Sequence, residues 1–384
     1  MKKTLVALLA AYVLLGMATT MLGPMLPLLQ AQWRLTDRQL GLLFVAQFCG
    51  GFVGAMLSGE ITRRRSAEFT GRFGFLLIAA GFAILPWPLP ATLILGIATY
   101  GIGIGLALPS ITLTVCAIYR DQPARALNLL NFFWALGAIA APALVLKLVS
   151  GDPQRLRITL LTAALLELPF ILRLPAAAQD VEPSGWATIA GGGATARRDL
   201  TMILTFALLI FAYVGVENGA AGWMPTLAQR SHGFTPGMTA GLQALFWSAY
   251  LLSRLLTAAL IRAGDEMRVL VLTLLAATLG SVLLLAGRGE ARLFCAAGLM
   301  GAGLAPIFPT AVSLLTAKIS AEWRPRLGWV YAAGGLGGAA VPYTIGALSN
   351  YNGDLRTAMS LLLLGEFAIF LTLGLIKRQH QRSA

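Results

Sequence analysis

Apolar runs of about 20 residues recur from one end of this chain to the other, and each is long enough to cross the hydrocarbon core of a bilayer. Backbone polar groups in lipid must be satisfied within the segment, so runs of this length predict helices. Only 12% of the 384 residues are charged and 57% are hydrophobic, whereas a soluble domain carries about 25% charged residues. The expectation is an all-α membrane protein with no sizeable soluble domain. Spans are expected near 4–28, 39–60, 71–88, 91–118, 126–149, 155–173, 201–228, 237–262, 267–286, 290–318, 326–349 and 353–376, twelve in all. The first follows Met1-Lys2-Lys3, but its apolar region is too long for a cleaved signal and no convincing small-residue cleavage site follows it, so it reads as a span.

The net charge of +13 would point to nucleic acid in a soluble protein. Its distribution says otherwise. With the N-terminus inside, 20 Lys and Arg residues fall on the cytoplasmic side and 8 on the other, which is the bias that orients membrane proteins. Both termini and the stretch between the sixth and seventh spans are therefore expected to be cytoplasmic, in a multi-pass protein of the cell inner (plasma) membrane. The bilayer is the large partner expected, nucleic acid is not, and the chain is expected to act as a monomer. Cys49, Cys116 and Cys295 are far apart in apolar runs, and His232 and His380 lie in a loop and the tail. This predicts no disulfide framework, no metal site, no cofactor and no enzymatic acid–base constellation.

The second half repeats the first. Tyr12 and Pro24 match Tyr213 and Pro225 at an offset of 201 residues, and Gly137-Ala-Ile-Ala-Ala-Pro142 matches Gly337-Gly-Ala-Ala-Val-Pro342 at 200. Arg157 and Glu167 match Arg356 and Glu366 at 199, and Gly103-Ile-Gly-Leu-Ala matches Gly301-Ala-Gly-Leu-Ala at 198. The expected organisation is two pseudo-symmetric six-helix bundles, 1–174 and 201–384, joined by a linker over 175–200. Parallel repeats of this kind place substrate near the bilayer midplane between halves that rock about it. A sensor would need an output domain for which there is no room.

Against that repeat, the stretch FAYVGVENGAAGWMPTLAQ, residues 211–229, stands out. It sets Glu217 and Asn218 inside an apolar span, among Gly215, Gly219, Gly222 and Pro225. An Asp at the centre of a membrane helix costs roughly 2.5–3.5 kcal/mol on insertion scales, and Glu should be comparable. Glu217 has Gly16 as its counterpart, so it breaks the symmetry, whereas Glu167 and Glu366 share one place and read as structural. The glycines are expected to let the helix bend or unwind, closing over substrate from outside. Glu217 has two available roles: bonding substrate as an ion, or cycling a proton for coupling.

The loop Gly59-Glu-Ile-Thr-Arg-Arg-Arg65 and its counterpart from Ser253-Arg254 to Asp265 resemble the cytoplasmic motif of the major facilitator superfamily, with Arg63 where the usual Asp would be. On this resemblance Arg63, Arg254 and Asp265 are candidates for a cytoplasmic gate. Tyr213-Val-Gly215, Trp223, Pro236-Gly-Met-Thr-Ala-Gly241 and Arg254 are similar to the fucose–proton symporter family, as are Leu127-Asn-Leu-Leu-Asn131 and Gly137-Ala-Ile139. The resemblance covers most of the chain. It implies a transporter of the major facilitator fold that imports a sugar or related small polar metabolite by alternating access. It sets Asn131 where a sugar-binding Gln sits and Trp134 where a sugar-binding Asn sits. It also departs: the family's two proton-carrying carboxylates fall near Gly23 and Pro109, and both are missing.

Sugars ask for amides and carboxylates to bond hydroxyls, and for aromatic faces to cover the C–H side of the ring. The spans supply Gln47, Asn128, Asn131, Trp134, Glu217, Asn218, Trp223, Gln243, Trp247, Phe308 and Tyr331. Asn128, Asn131 and Trp134 advance by threes in one stripe, and Gln243 and Trp247 share a helix face. The competing expectation is a proton-coupled drug efflux antiporter, for which Gly137 to Pro142 is a partial motif.

Overall fold

The structure is a computed structural model that describes residues 2–87, 90–119, 123–149, 153–174, 194–261, 264–286, 289–320, 323 and 326–381. Residues 175–193 of the expected linker lie outside these, as do Arg120, Arg262, Arg288, Arg324 and Arg382 of the charge count. Each of the twelve expected spans is met by a helix or by a consecutive pair of helices.

In the first half these are α1 (Lys2–Thr20) with α2 (Leu22–Trp33), α3 (Asp37–Arg64), α4 (Ala67–Ile84), α5 (Pro90–Ile118), α6 (Pro123–Val149), and α7 (Pro153–Leu166) with α8 (Leu168–Leu172). In the second half they are α9 (Ala194–His232), α10 (Pro236–Leu260), α11 (Glu266–Leu285), α12 (Glu290–Leu304) with α13 (Ile307–Lys318), α14 (Leu327–Asn352), and α15 (Leu355–Ala358) with α16 (Leu361–Gln381). Among the described residues eight helical segments are long and apolar enough to cross a membrane, or nine if the α1–α2 pair, bent by 45°, is one span.

Local chemistry sets the ends and the breaks. Thr36 and Gln39 form a reciprocal capping box at the start of α3, and the Ser66 side chain caps α4. Pro24 and Pro27 follow the α1–α2 bend, and Pro306 separates α12 from α13. A proline removes an N–H and crowds the carbonyl four residues back, so helices break there.

Contacts group the chain into two compact units. One holds Met1–Pro183 with Gly222–Ala244, the other Ser184–Ala221 with Leu245–Ala384. Within the first, α5 packs on α3 and α4, and α1 packs on α6. Within the second, α11 packs on α12 and α16. Small residues let the backbones approach, as membrane helix interfaces require. A Cβ on Gly137 would meet the Val13 carbonyl oxygen, and one on Gly337 would meet that of Phe211.

These close approaches correct the register of the repeat. Gly101 packs on the Gln47 carbonyl of α3 and Gly301 on the Phe246 carbonyl of α10; Gly103 and Gly303 lie against α4 and α11. The fourth and tenth spans are thus offset by 200 residues, not 198. Likewise Val13 and Phe211 offset the first and seventh spans by 198, which sets Thr19 rather than Gly16 opposite Glu217. Runs of small residues match equally well when slid by two positions; backbone contact does not slide.

The unwinding expected around Glu217 is not there. Helix α9 runs unbroken from Ala194 to His232 through Gly215, Gly219, Gly222 and Pro225. Those glycines make room instead: Gly215 faces Val341, Gly219 faces Ile345 and Leu362, and Gly222 faces the Phe44 ring.

Candidate functional site

Within the second unit a polar chain is assembled from α9, α10 and the α12–α13 break. Tyr213 and Glu217 are four apart on α9 and so share a face; the Tyr213 hydroxyl donates to Glu217 Oε2. The Tyr250 hydroxyl of α10 donates to the same oxygen at 2.9 Å and lies 3.1 Å from the Tyr213 hydroxyl. Arg254, one turn on, donates from Nη2 to the Tyr250 hydroxyl at 2.7 Å, with its guanidinium carbon 4.6 Å from the centre of that ring. Its Nε donates to the Ala305 carbonyl at 3.0 Å, and Ser253 Oγ donates to the Ala302 carbonyl at 2.6 Å.

Aromatic rings surround this chain. Phe308 lies 6.2 Å from Tyr213 and 5.5 Å edge-on from Tyr331, which is half exposed. Trp247 meets Tyr250 at 5.3 Å and Phe246 at 5.0 Å, both edge-on. The Glu217 carboxyl is thus satisfied by two tyrosine hydroxyls, one of them bonded in turn by an arginine; left alone in an apolar unit it would be costly.

The structure therefore brings together Glu217, Trp247, Phe308, Tyr331 and Arg254. Asn218 turns to its own helix and donates to the Val214 carbonyl. The remaining candidates lie in the first unit. Asn128 and Asn131 are exposed on α6, with Trp134 half-buried a turn on. Gln47 is buried and donates to the Thr19 carbonyl, at the end of α1. Trp223 is wholly buried, 6.5 Å from Phe44, and Gln243 is buried near the start of α10. Of the gate candidates, Arg254 joins the Glu217 cluster. Arg63 pairs with Glu60 on its own helix at 2.5 Å, and Asp265 occupies the position before α11.

Two features escaped the sequence reading. Tyr250 is the joint of the polar chain; its signal is the spacing Trp247, Tyr250, Arg254 on one helix face. In the first unit, Arg230 at the end of α9 grips Asp37 through both carboxylate oxygens, at 2.8 and 2.5 Å, and also donates to Gln30. That fork is the strong, geometrically specific form of an ion pair. Glu366, in α16, accepts from Ser281 at 2.6 Å, and Glu167 is buried between α7 and α8. Among the described residues no three His, Cys, Asp or Glu side chains gather as a metal site would require.

A helical chain of repeated apolar spans with a polar cluster buried inside it is built as a membrane carrier. The chain belongs to the Major Facilitator Superfamily, whose family profile matches residues 8–342. It is a multi-pass membrane transporter, with the twelve-helix architecture of that family, and not an enzyme. Sodium-dependent glucose transporter 1A of Mus musculus is 23% identical over 387 aligned positions, covering 91% of this chain and 90% of the relative. Sodium-dependent glucose transporter 1 of Xenopus laevis is 24% identical, covering 86% and 73%. Among solved structures, a bacterial homolog of the human lysosomal transporter Spinster aligns with a TM-score of 0.76 at 15% identity, over 98% of this chain and 97% of that one. The E. coli fucose:proton symporter aligns at 0.64 and 20% identity, over 97% and 98%. At such identities these two show a shared fold.

Proposed function

We propose that this transporter imports a sugar or a related small polar metabolite by alternating access, with Glu217 as the central ligand of the substrate. The observation that carries the reading is the Glu217 cluster itself. One carboxylate is flanked by two tyrosine hydroxyls and edged by Phe308, Tyr331 and Trp247, the mixture of hydroxyl-bonding groups and ring faces that a polyol requires. The glucose-transporting relatives support it. Asn128, Asn131 and Trp134 would serve from the first half, and the halves 1–174 and 201–384 would rock about the substrate with 175–200 as the cytoplasmic linker. The charge bias supports an inner-membrane location with both termini inside, and nothing in the reading calls for more than a monomer.

The drug-efflux alternative draws on the Gly137–Pro142 motif. Gly137 and Gly337 do the same job, each admitting a neighbouring backbone carbonyl, so that motif reads as shared packing. The deciding experiment is thermal unfolding of the purified protein with D-glucose, L-fucose, polyols, organic acids and cationic drugs. A ligand at 100 times its Kd stabilises by about 2.7 kcal/mol. Stabilisation by a hexose or polyol is expected; stabilisation by cationic drugs alone overturns the sugar reading. Sodium and proton gradients imposed on vesicles then identify the driving ion, sodium and proton being the couplings named for the similar transporters.

A further inference from the structure

The break between α12 and α13 has a specific consequence for two carbonyls. In a helix the carbonyl of residue i accepts from the amide of residue i+4. Residue i+4 is Pro306 for Ala302 and Pro309 for Ala305, and proline has no amide hydrogen to give. Both carbonyls would be left without a donor inside a membrane protein, where each unsatisfied group costs several kcal/mol. Helix α10 supplies both donors: Ser253 Oγ to Ala302 and Arg254 Nε to Ala305.

The first half shows what the same interface looks like without this device. The contacts of Gly54 with the Ile102 carbonyl, and of Gly105 with Gly51 and Ala55, put α3 and α5 in the places of α10 and α12–α13. Gly51, Gly54 and Ala55 then stand where Tyr250, Ser253 and Arg254 stand, and Leu106 stands in place of Pro306. Side chains of glycine and alanine have nothing to donate, and α5 continues unbroken. Glu217 likewise has Thr19 opposite it. The carboxylate, the tyrosine joint, the arginine and Pro306 thus occur together in one half; the other keeps only Pro109, the counterpart of Pro309, inside an unbroken α5.

We propose that Arg254 is a positioning residue that ties Glu217 to the break in the tenth span, and that this break is the element that responds when Glu217 meets substrate. The path is continuous: Glu217 Oε2, the Tyr250 hydroxyl, Arg254 Nη2, Arg254 Nε, the Ala305 carbonyl. A guanidinium is a rigid planar fork, so pulling one arm toward Tyr250 aims the other. When a substrate hydroxyl takes over Glu217 Oε2, Tyr250 loses its acceptor. Arg254 then loses the polarised oxygen that holds it, and the Ala305 carbonyl loses the donor that α10 gives it. Hydrogen bonds in such chains strengthen one another, so the loss is felt along the whole path. This rests on Glu217 being the group that meets substrate; the wiring itself can be read with no substrate present.

The test is backbone hydrogen exchange in the purified full chain, read at the amides of residues 307–312 with 270–284 of α11 as an internal reference. Glu217→Gln should speed exchange at 307–312 roughly three- to tenfold, the effect of weakening about one hydrogen bond. Tyr250→Phe, which removes only the hydroxyl, should do the same. In the Tyr250→Phe background Glu217→Gln should add less than about twofold, because the path is already cut. Arg254→Lys keeps the charge but has no fork, and should behave as Tyr250→Phe. Pro309→Ala returns an amide to Ala305 and should make exchange insensitive to Glu217→Gln. Full additivity of the Glu217 and Tyr250 effects, or no effect of Glu217→Gln at 307–312, overturns the proposal. Adding D-glucose to the wild type should mimic Glu217→Gln. If D-glucose changes nothing while the variants behave as above, the wiring stands and the sugar reading is what fails.

Discussion

Glu217 was legible from the sequence because a carboxylate in an apolar run is costly and has to be accounted for. What holds it was not legible, because Tyr250 and Arg254 reach it only through the packing of α10 on α9. We expect Glu217→Gln to lower hexose affinity by one to two decades while leaving the gradient dependence of uptake as it is in the wild type. A bond lost in a water-poor site leaves a partner unsatisfied, at about 1–3 kcal/mol. Uptake into proteoliposomes under imposed gradients measures this. Wild-type affinity combined with failure to concentrate substrate would instead make Glu217 the coupling group. Asn131→Ala is expected to lose affinity by a similar factor with unchanged insertion, and unchanged binding would return that face of α6 to packing.

At the scale of elements, the twelve spans could be read from apolar length alone, and each has its helix or helix pair. The internal breaks were harder. Proline marks them in the sequence, but Pro225 sits in a helix that does not break and Pro306 in one that does. At the latter, α10 offers donors to the carbonyls freed by Pro306 and Pro309. Glycine was misleading for a related reason. It serves equally as a hinge or as a place for a neighbour to lie, and in α9 it is the latter. Gly137→Ala should therefore force α1 and α6 apart, since the added carbon meets backbone that has no rotamer to escape into. Overpacking of this kind costs about 1–3 kcal/mol. Gly335→Ala, with open space at its Cβ position, is the control and should be neutral in thermal unfolding.

At the scale of the whole molecule, the positive-inside count predicts that a reporter after Ala384 or near Gly192 is cytoplasmic. Periplasmic activity at either place would show the span count to be wrong by an odd number. The ion pair of Arg230 with Asp37 leads to a second expectation. Arg230→Ala should remove the forked pair of donors from Asp37, which is mostly buried, destabilise the first unit and slow transport. The exchange Arg230→Asp with Asp37→Arg should recover part of both losses if the pair acts through charge. No recovery would mean that its fork geometry, with Gln30 as the third member, is what matters.

Helix α9 carries both Glu217 and Arg230 on one uninterrupted run. They are 13 residues apart, about 20 Å at the rise of an α-helix. Without a joint between them the helix is a stiff shaft. We expect a tilt of α9 at the carboxylate to be carried along the helix to the arginine.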